Sequence, residues 1–235
     1  MNTPHEFYDA YCDSIYTKSN NFSQSGFDNL STLFNQIYAS YLPLDRQEPI
    51  LDIGCGSGQF LYYLEKRKYT NFYGIDISRQ QIDFCKEHVT QRCEVADIFE
   101  YLPRQKNAFS CIVANDLIEH ISKENIIAFC HLVLGALRPG GCFLIKTPNL
   151  GNPFAIYSRY RDFTHEIGFT ELSLEQTLSI AGFSSITLNP MNRRTTLREA
   201  IADRFIRFIL TKMFQYQGFN APRILSPLLV CKAVK

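Results

Sequence analysis

The sequence predicts an α/β fold, a doubly wound parallel sheet with helices on both faces, and three observations carry that prediction. A short apolar run, Ile50-Leu51-Asp52-Ile53, passes into the glycine turn Gly54-Cys55-Gly56-Ser57-Gly58, which opens a helix. Strands buried on both faces read as continuous apolar runs, so this one belongs in the middle of a parallel sheet. Apolar segments of strand length then alternate with amphipathic ones, the mark of repeated strand-helix-strand units. Finally, four successive strands end in polar residues, Asp52, Asp76, Asp97 and Asn115-Asp116. Ligands bind beyond the carboxyl ends of strands in open α/β sheets.

Taken in order, residues 1 to 48 are polar and tyrosine-rich, with Tyr8, Tyr11, Tyr16, Tyr38 and Tyr41. From Phe27 to Tyr41 the apolar residues Leu30, Leu33, Phe34, Ile37, Tyr38 and Tyr41 follow helical spacing. This part is expected to be a helical cap, with tyrosines that line a cavity or simply pack on the core. Pro43 and Pro49 end it. Residues 49 to 235 are expected to form the main domain. Phe60 to Lys68 reads as a helix and Asn71 to Ile77 as a strand. Ser78 caps a helix to about His88, and Cys93 to Ala96 is a third strand. Phe109 to Ala114 is a fourth, followed by the helix Asn125 to Leu137, closed by Arg138-Pro139-Gly140-Gly141. Cys142 to Thr147 is a fifth strand. Ser173-Leu174-Glu175-Gln176 has a capping-box pattern and starts a helix that stops at Gly182. Ser184 to Leu188 and Leu228 to Val234 are the last two strands. Between them, within residues 191 to 224, a basic helix is expected from about Thr195 to Gln217.

Composition narrows the class. At 235 residues the chain suits one sizeable α/β domain with an insertion, and 46% hydrophobic with 20% charged residues is ordinary for a globular protein. A net charge of +1 leaves no electrostatic footprint for nucleic acid, which is not expected as a partner. The opening Met1-Asn2-Thr3-Pro4-His5-Glu6 lacks the basic-then-apolar pattern of a secretion signal. The eight cysteines include no C-x-x-C pair and mostly sit in apolar runs. They read as reduced core residues of a cytoplasmic protein, not as disulfides or a zinc site.

The strand ends carry the chemistry. One acidic strand end is explained by a helix cap, but four in sequence order argue for one extended polar ligand. Asp76 follows Gly58 by 18 residues, about the distance at which an acid binds ribose hydroxyls in dinucleotide folds. A carboxylate accepts both vicinal hydroxyls. The glycine pattern is G-x-G-x-G, not the G-x-G-x-x-G of nicotinamide and flavin sites. The ordered segments Leu51-Asp52-Ile53-Gly54-Cys55-Gly56-Ser57-Gly58, Tyr73-Gly74-Ile75-Asp76-Ile77-Ser78, Val95-Ala96-Asp97, Asn115-Asp116-Leu117-Ile118-Glu119-His120 and Leu137-Arg138-Pro139-Gly140-Gly141 resemble the motifs of class I S-adenosylmethionine-dependent methyltransferases. That resemblance implies a seven-stranded sheet of order 3-2-1-4-5-7-6 with strand seven antiparallel, and S-adenosyl-L-methionine as cofactor. It places Gly54, Cys55, Gly56 and Gly58, with Asp52, against the methionine part of the cofactor. It also places Asp76 and Ile77 at the ribose, Asp97 and Ile98 beside the adenine, and Asn115, Asp116 and Leu117 near the sulfonium.

The acceptor end is less specified. Methyl transfer from a sulfonium is an in-line displacement, so the enzyme contributes alignment, and a base where the nucleophile is a hydroxyl. His120 after the fourth strand and His165 in the loop after the fifth are the candidate bases. Each has a structural alternative, fixing a helix start for His120 and packing on Phe169 for His165. Asp116, Glu119 and His120 resemble the acidic-acidic-His cluster that holds a divalent cation in some quinone-pathway O-methyltransferases. The first acid is one carbon short here, and no metal is expected. The segment from Thr147-Pro148-Asn149 to Ala181-Gly182-Phe183 resembles methyltransferases of bacterial surface-polysaccharide and O-antigen biosynthesis. It implies O-methylation of a sugar or glycan hydroxyl, with a quinone-like or phenolic acceptor as the alternative. A methyltransferase fold kept only as a binding module is the rival of another class.

The insertion adds one more expectation. Arg193, Arg194, Arg198, Arg204, Arg207 and Lys212 stand against Glu199 and Asp203, while Leu197, Ile201, Phe205, Phe208 and Ile209 share a helical face. Such a helix lies on an anionic membrane or, more commonly, docks on its own domain with a solvated basic face.

Overall fold

The computed structural model describes residues 22–191 and 196–235. Tyr8, Tyr11 and Tyr16 of the expected cap, and Arg193 and Arg194 of the insertion, lie outside the described residues. Seven strands form one sheet: β1 Ile50–Ile53, β2 Phe72–Asp76, β3 Cys93–Val95, β4 Phe109–Asn115, β5 Leu137–Pro148, β6 Ser185–Pro190 and β7 Leu228–Val234. Their order is β3-β2-β1-β4-β5-β7-β6. All pairs among β1 to β5 are parallel, and β7 runs antiparallel to both β5 and β6. The expected fold class holds strand for strand.

Eight α-helices flank the sheet among the described residues: α1 Gln24–Tyr38, α2 Gln59–Lys66, α3 Arg79–His88, α4 Ile98–Tyr101, α5 Ile126–Ala136, α6 Ile156–Arg161, α7 Glu171–Ile180 and α8 Leu197–Tyr216. Alternate strand residues face two apolar layers. Leu51, Ile53, Ile112 and Phe143 point to one that includes Phe129 and Val133. Ile50, Cys111, Val113 and Leu144 point to the other, which includes Tyr38, Phe60 and Leu64. The cysteines among the described residues are all buried and free, as expected of core thiols.

Three boundaries differ from the sequence reading, each for a local reason. Arg138-Pro139-Gly140-Gly141 does not simply close a helix. Leu137 already pairs with Phe109, and the register jumps before Cys111 meets Cys142. The four residues bulge out of the ladder, with Gly140 at φ 76. Helix α7 starts earlier than Ser173: Thr170 caps it, accepting from Ser173 N, while Ser173 Oγ accepts from Thr170 N. Helix α1 ends at Tyr38, three residues before Tyr41. The short helices α4 and α6 gave no periodic signal, because a single turn or two carries too few residues to show one.

Candidate active site

Strand β1 delivers Asp52 to the centre of the sheet edge, where it is 1% exposed. Neither of its carboxylate oxygens has a hydrogen-bond partner among the described residues. Burial, and then the charge of Asp76, hold its carboxyl well above the usual carboxylate range. A buried acid left unpaired is costly, and its natural complement is a cationic ligand group. Beyond it the chain turns through Gly54 at φ 69 and Gly58 at φ 84. A Cβ on Gly54 would meet Leu117 Cδ1 at 2.9 Å, and one on Gly58 would meet Cys85 Sγ at 2.4 Å. Both the left-handed backbone and the close neighbours exclude a side chain here.

Asp76 at the end of β2 ties the loop down. Its Oδ2 accepts from Gly56 N at 2.9 Å and its Oδ1 from Ser78 N at 2.8 Å. Burial raises its pKa, and the amides of Ser78, Gly56 and Ile77 pull it back. One lone pair remains for a ligand. Asp97 caps α4, accepting from Phe99 N at 2.7 Å. Asn115 Oδ1 accepts from the Tyr38 hydroxyl at 2.6 Å, and its Nδ2 is buried with no partner among the described residues. Asp116, at φ 50, turns out of the strand to pair with Lys146. Asp and Asn are among the few non-glycine residues that tolerate this conformation.

These residues border one cavity of about 730 Å³. All twelve residues expected at the cofactor line it except Gly58, which sits behind the loop as the N-cap of α2. His120 and His165 line its other end. The sequence missed several members of the lining. Lys146 is on β5, Arg161 is on α6, and Leu30 and Phe34 come from α1. The helical spacing of Leu30 and Phe34 pointed to a buried face, and the one signal for Lys146 was a lone charge in the apolar run Cys142 to Thr147.

The histidine end is fixed by a chain of hydrogen bonds. Thr164 Oγ1 donates to Asp162 Oδ1 at 2.7 Å, which leaves it to accept from His120 Nδ1 at 2.8 Å. His165 Nδ1 lies 2.8 Å from the Ser158 carbonyl, which only accepts. Each ring therefore carries a hydrogen on Nδ1. The rings stand 4.7 Å apart in a T arrangement. Burial, followed by His165 beside it, lowers the His120 pKa to about 4. Glu119, 2% exposed, accepts from Thr147 Oγ1 at 2.9 Å through Oε2, while Oε1 has no partner among the described residues. Burial, then the charge of Asp116, pushes its carboxyl up to about 8. Both groups are thus held neutral near pH 7.

The acid-acid-His trio at 116, 119 and 120 does not assemble, because Asp116 is drawn to Lys146. His165 takes its place, and one ligand atom each from Glu119, His120 and His165 lie within 4.8 Å of one another. These three are the described residues able to hold a metal ion together.

Residues 50–141 match the family model described as a methyltransferase domain. The chain is 32% identical over 162 residues to phosphoethanolamine N-methyltransferase 3 of Arabidopsis thaliana, covering 63% of this chain and 31% of that protein. It thus spans about a third of that relative's length. A SAM-dependent methyltransferase from Archaeoglobus fulgidus has the same fold, with a TM-score of 0.67 at 21% identity, covering 89% of this chain and 94% of that one. Haemonchus contortus phosphoethanolamine N-methyltransferase 2, solved with S-adenosyl-L-methionine, gives 0.68 at 19% identity, over 100% of this chain and 60% of that one. S-adenosylmethionine fits the cavity on this chain's own residues. Asp52 is a buried acid unpaired among the described residues, Asp76 keeps a lone pair for a hydroxyl, and the glycine loop leaves room for close approach. Residues 50–141 thus match a methyltransferase domain, and the fold around them is that of the S-adenosylmethionine-dependent methyltransferase from Archaeoglobus fulgidus.

Proposed function

We propose that the chain methylates a hydroxyl of a sugar, glycan or related small polar molecule. The observation that carries this reading is the pair of imidazoles on the cavity lining, each held through its Nδ1 and with rings 4.7 Å apart. An aliphatic hydroxyl is hardly ionised at neutral pH, so it is the acceptor that most needs a base. When bound, S-adenosylmethionine supplies a methyl group on a sulfonium, which is its own leaving group. Asp76 would hold the ribose hydroxyls, Asp97 and Ile98 would flank the adenine, and Asn115 and Leu117 would lie on the sulfonium side. His120 stays an uncharged acceptor down to about pH 4, and takes the hydroxyl proton at Nε2 alone or with His165. Asp162 and Thr164 position His120 as the buried acid of a catalytic triad positions its histidine. Glu119, protonated up to about pH 8, offers its carboxyl hydrogen at Oε1 to orient the acceptor.

A second reading is the amine of a small phosphorylated acceptor, favoured by the phosphoethanolamine N-methyltransferase likeness and by Arg161 on the cavity lining. Labelled methyl transfer to nucleotide sugars, glycan precursors and phosphoethanolamine, with the product bond read by NMR, separates the two. An O-methyl product that His120→Ala removes supports the first. Transfer confined to the phosphoethanolamine nitrogen would replace it with the second.

A further inference from the structure

Helix α8 stands almost bare. Over its 20 residues only Leu210 is buried, at 5% exposure. Phe205 is 64% exposed, Phe208 56%, Met213 59% and Tyr216 89%. The common arrangement, an apolar face docked on its own domain, is therefore reversed here. A large apolar face open to water costs free energy unless something covers it. Helix α6 and its flanks repeat the pattern, with Phe154, Tyr157, Tyr160 and Phe163 all exposed. The two regions share a base: the segment after α8 is clamped where Asn149 Nδ2 donates to the Ile224 and Ser226 carbonyls and Asn152 Nδ2 to that of Leu225, just before α6. Ser158 and Arg161 of α6 line the cavity.

Charge decides what covers this surface. With about 3.6 residues per turn, Lys212 falls between Ile201 and Phe205, and Arg198 between Phe205 and Ile209. Arg204 and Arg207 flank the arc, all four cations being exposed. The acids of α8 are Glu199 and Asp203, and Glu199 is occupied by its own capping box with Thr196. Two copies packed through this face would bury Lys212 and Arg198 with no acidic stripe to meet them. At an anionic lipid surface the same cations snorkel to phosphate while the aromatic and aliphatic groups enter the interface. No described helix is long and apolar enough to cross a membrane. We infer that the chain docks on anionic membranes by laying α8, together with the exposed aromatics of α6, into the lipid interface. Because α6 borders the cavity, docking brings the site's mouth to the lipid surface, where it reaches an acceptor carried on a lipid.

The test is flotation of the full chain with vesicles of phosphatidylcholine alone and with phosphatidylglycerol added, at low and high salt. The inference predicts salt-sensitive binding to the anionic vesicles only. Phe205→Ser with Phe208→Ser should weaken it at least about tenfold, and Arg198→Gln with Lys212→Gln by about fivefold per cation. All four positions are exposed, so the variants keep their fold, which retained S-adenosylhomocysteine binding verifies independently of the lipid result. Absence of flotation by wild-type protein that binds S-adenosylhomocysteine would overturn the inference. So would a solution dimer that the same phenylalanine substitutions dissolve, since it would make a second copy the occupant.

Discussion

At one end of the cavity the polar groups are set by backbone. Asp76 is fixed by the amides of Gly56 and Ser78, Asp97 by that of Phe99, and the loop by glycines in left-handed conformation. At the other end they are set by side chains distant in sequence. His120 is held by Thr164, 44 residues away, and Glu119 by Thr147, 28 residues away. The first end grows directly from consecutive strands of a regular sheet, so its geometry follows from the fold. The second depends on how one loop, 149–170, folds back over the strand ends. The contrast suits a shared cofactor and a variable acceptor: rigid scaffold for the first, loop for the second.

The comparison can be broken by substitutions that should affect one end and spare the other. The largest effect is expected of His120→Ala, which should lower the methyl-transfer rate by about a hundredfold or more, with S-adenosylhomocysteine affinity unchanged by calorimetry. Equal loss of both would mean that the ends are not separate. Next comes Gly58→Ala, which combines a strained φ with the contact to Cys85 Sγ and should cost about 3 kcal/mol in denaturant unfolding. In a Cys85→Ala background the cost should shrink toward the strain alone, because the two positions touch. A full cost in that background would mean that the thiol contact contributes nothing.

Thr164→Val keeps the shape but cannot accept from His120 Nδ1. It should lower the rate about tenfold and shift its pH profile, again without changing cofactor affinity. A rate equal to wild type would remove Thr164 from the positioning chain. The smallest effect is on stability and pH. The Glu119 carboxyl titrates at about 8 in the folded chain against an ordinary 4.5. The folded state keeps a proton that the unfolded chain releases, so this contribution is complete below 4.5 and is lost as pH rises through 8. His120, lowered from 6.5 to about 4, acts in the opposite sense, its contribution present above 6.5 and lost as pH falls through 4. Between 6.5 and 8 Glu119 acts without it. Thermal melting should fall across that window in wild type and fall less steeply in Glu119→Gln.

The same division explains what could be read from sequence. The glycine loop and the polar strand ends were legible, because each rests on local rules that act within one strand-turn-helix unit, whereas the strand order was implied only by the resemblance to class I methyltransferases. Asp52, Asp76 and Asp97 are where those rules put them. His120 and His165 were legible as candidates by residue type and loop position. Their Nδ1 hydrogens were not, since these depend on Thr164 donating to Asp162 and on the carbonyl of Ser158. Lys146, the one charge in the run Cys142 to Thr147, was passed over, and its pairing with Asp116 dissolves the acidic-acidic-His resemblance. The exposed face of α8 was misjudged for a related reason. Periodicity shows that a helix has an apolar face, but not what that face meets.

The central claim is that the carboxylate end alone binds the cofactor. Calorimetric titration with S-adenosylhomocysteine of wild type, Asp76→Asn and His120→Ala tests it most directly. The account predicts micromolar binding by wild type, weakening of at least about tenfold in Asp76→Asn, where an amide replaces an oxygen of the carboxylate that ties down the loop and offers a lone pair to a ligand, and no change in His120→Ala. Folded wild type that does not bind, or an Asp76→Asn variant that binds as wild type does, would contradict it.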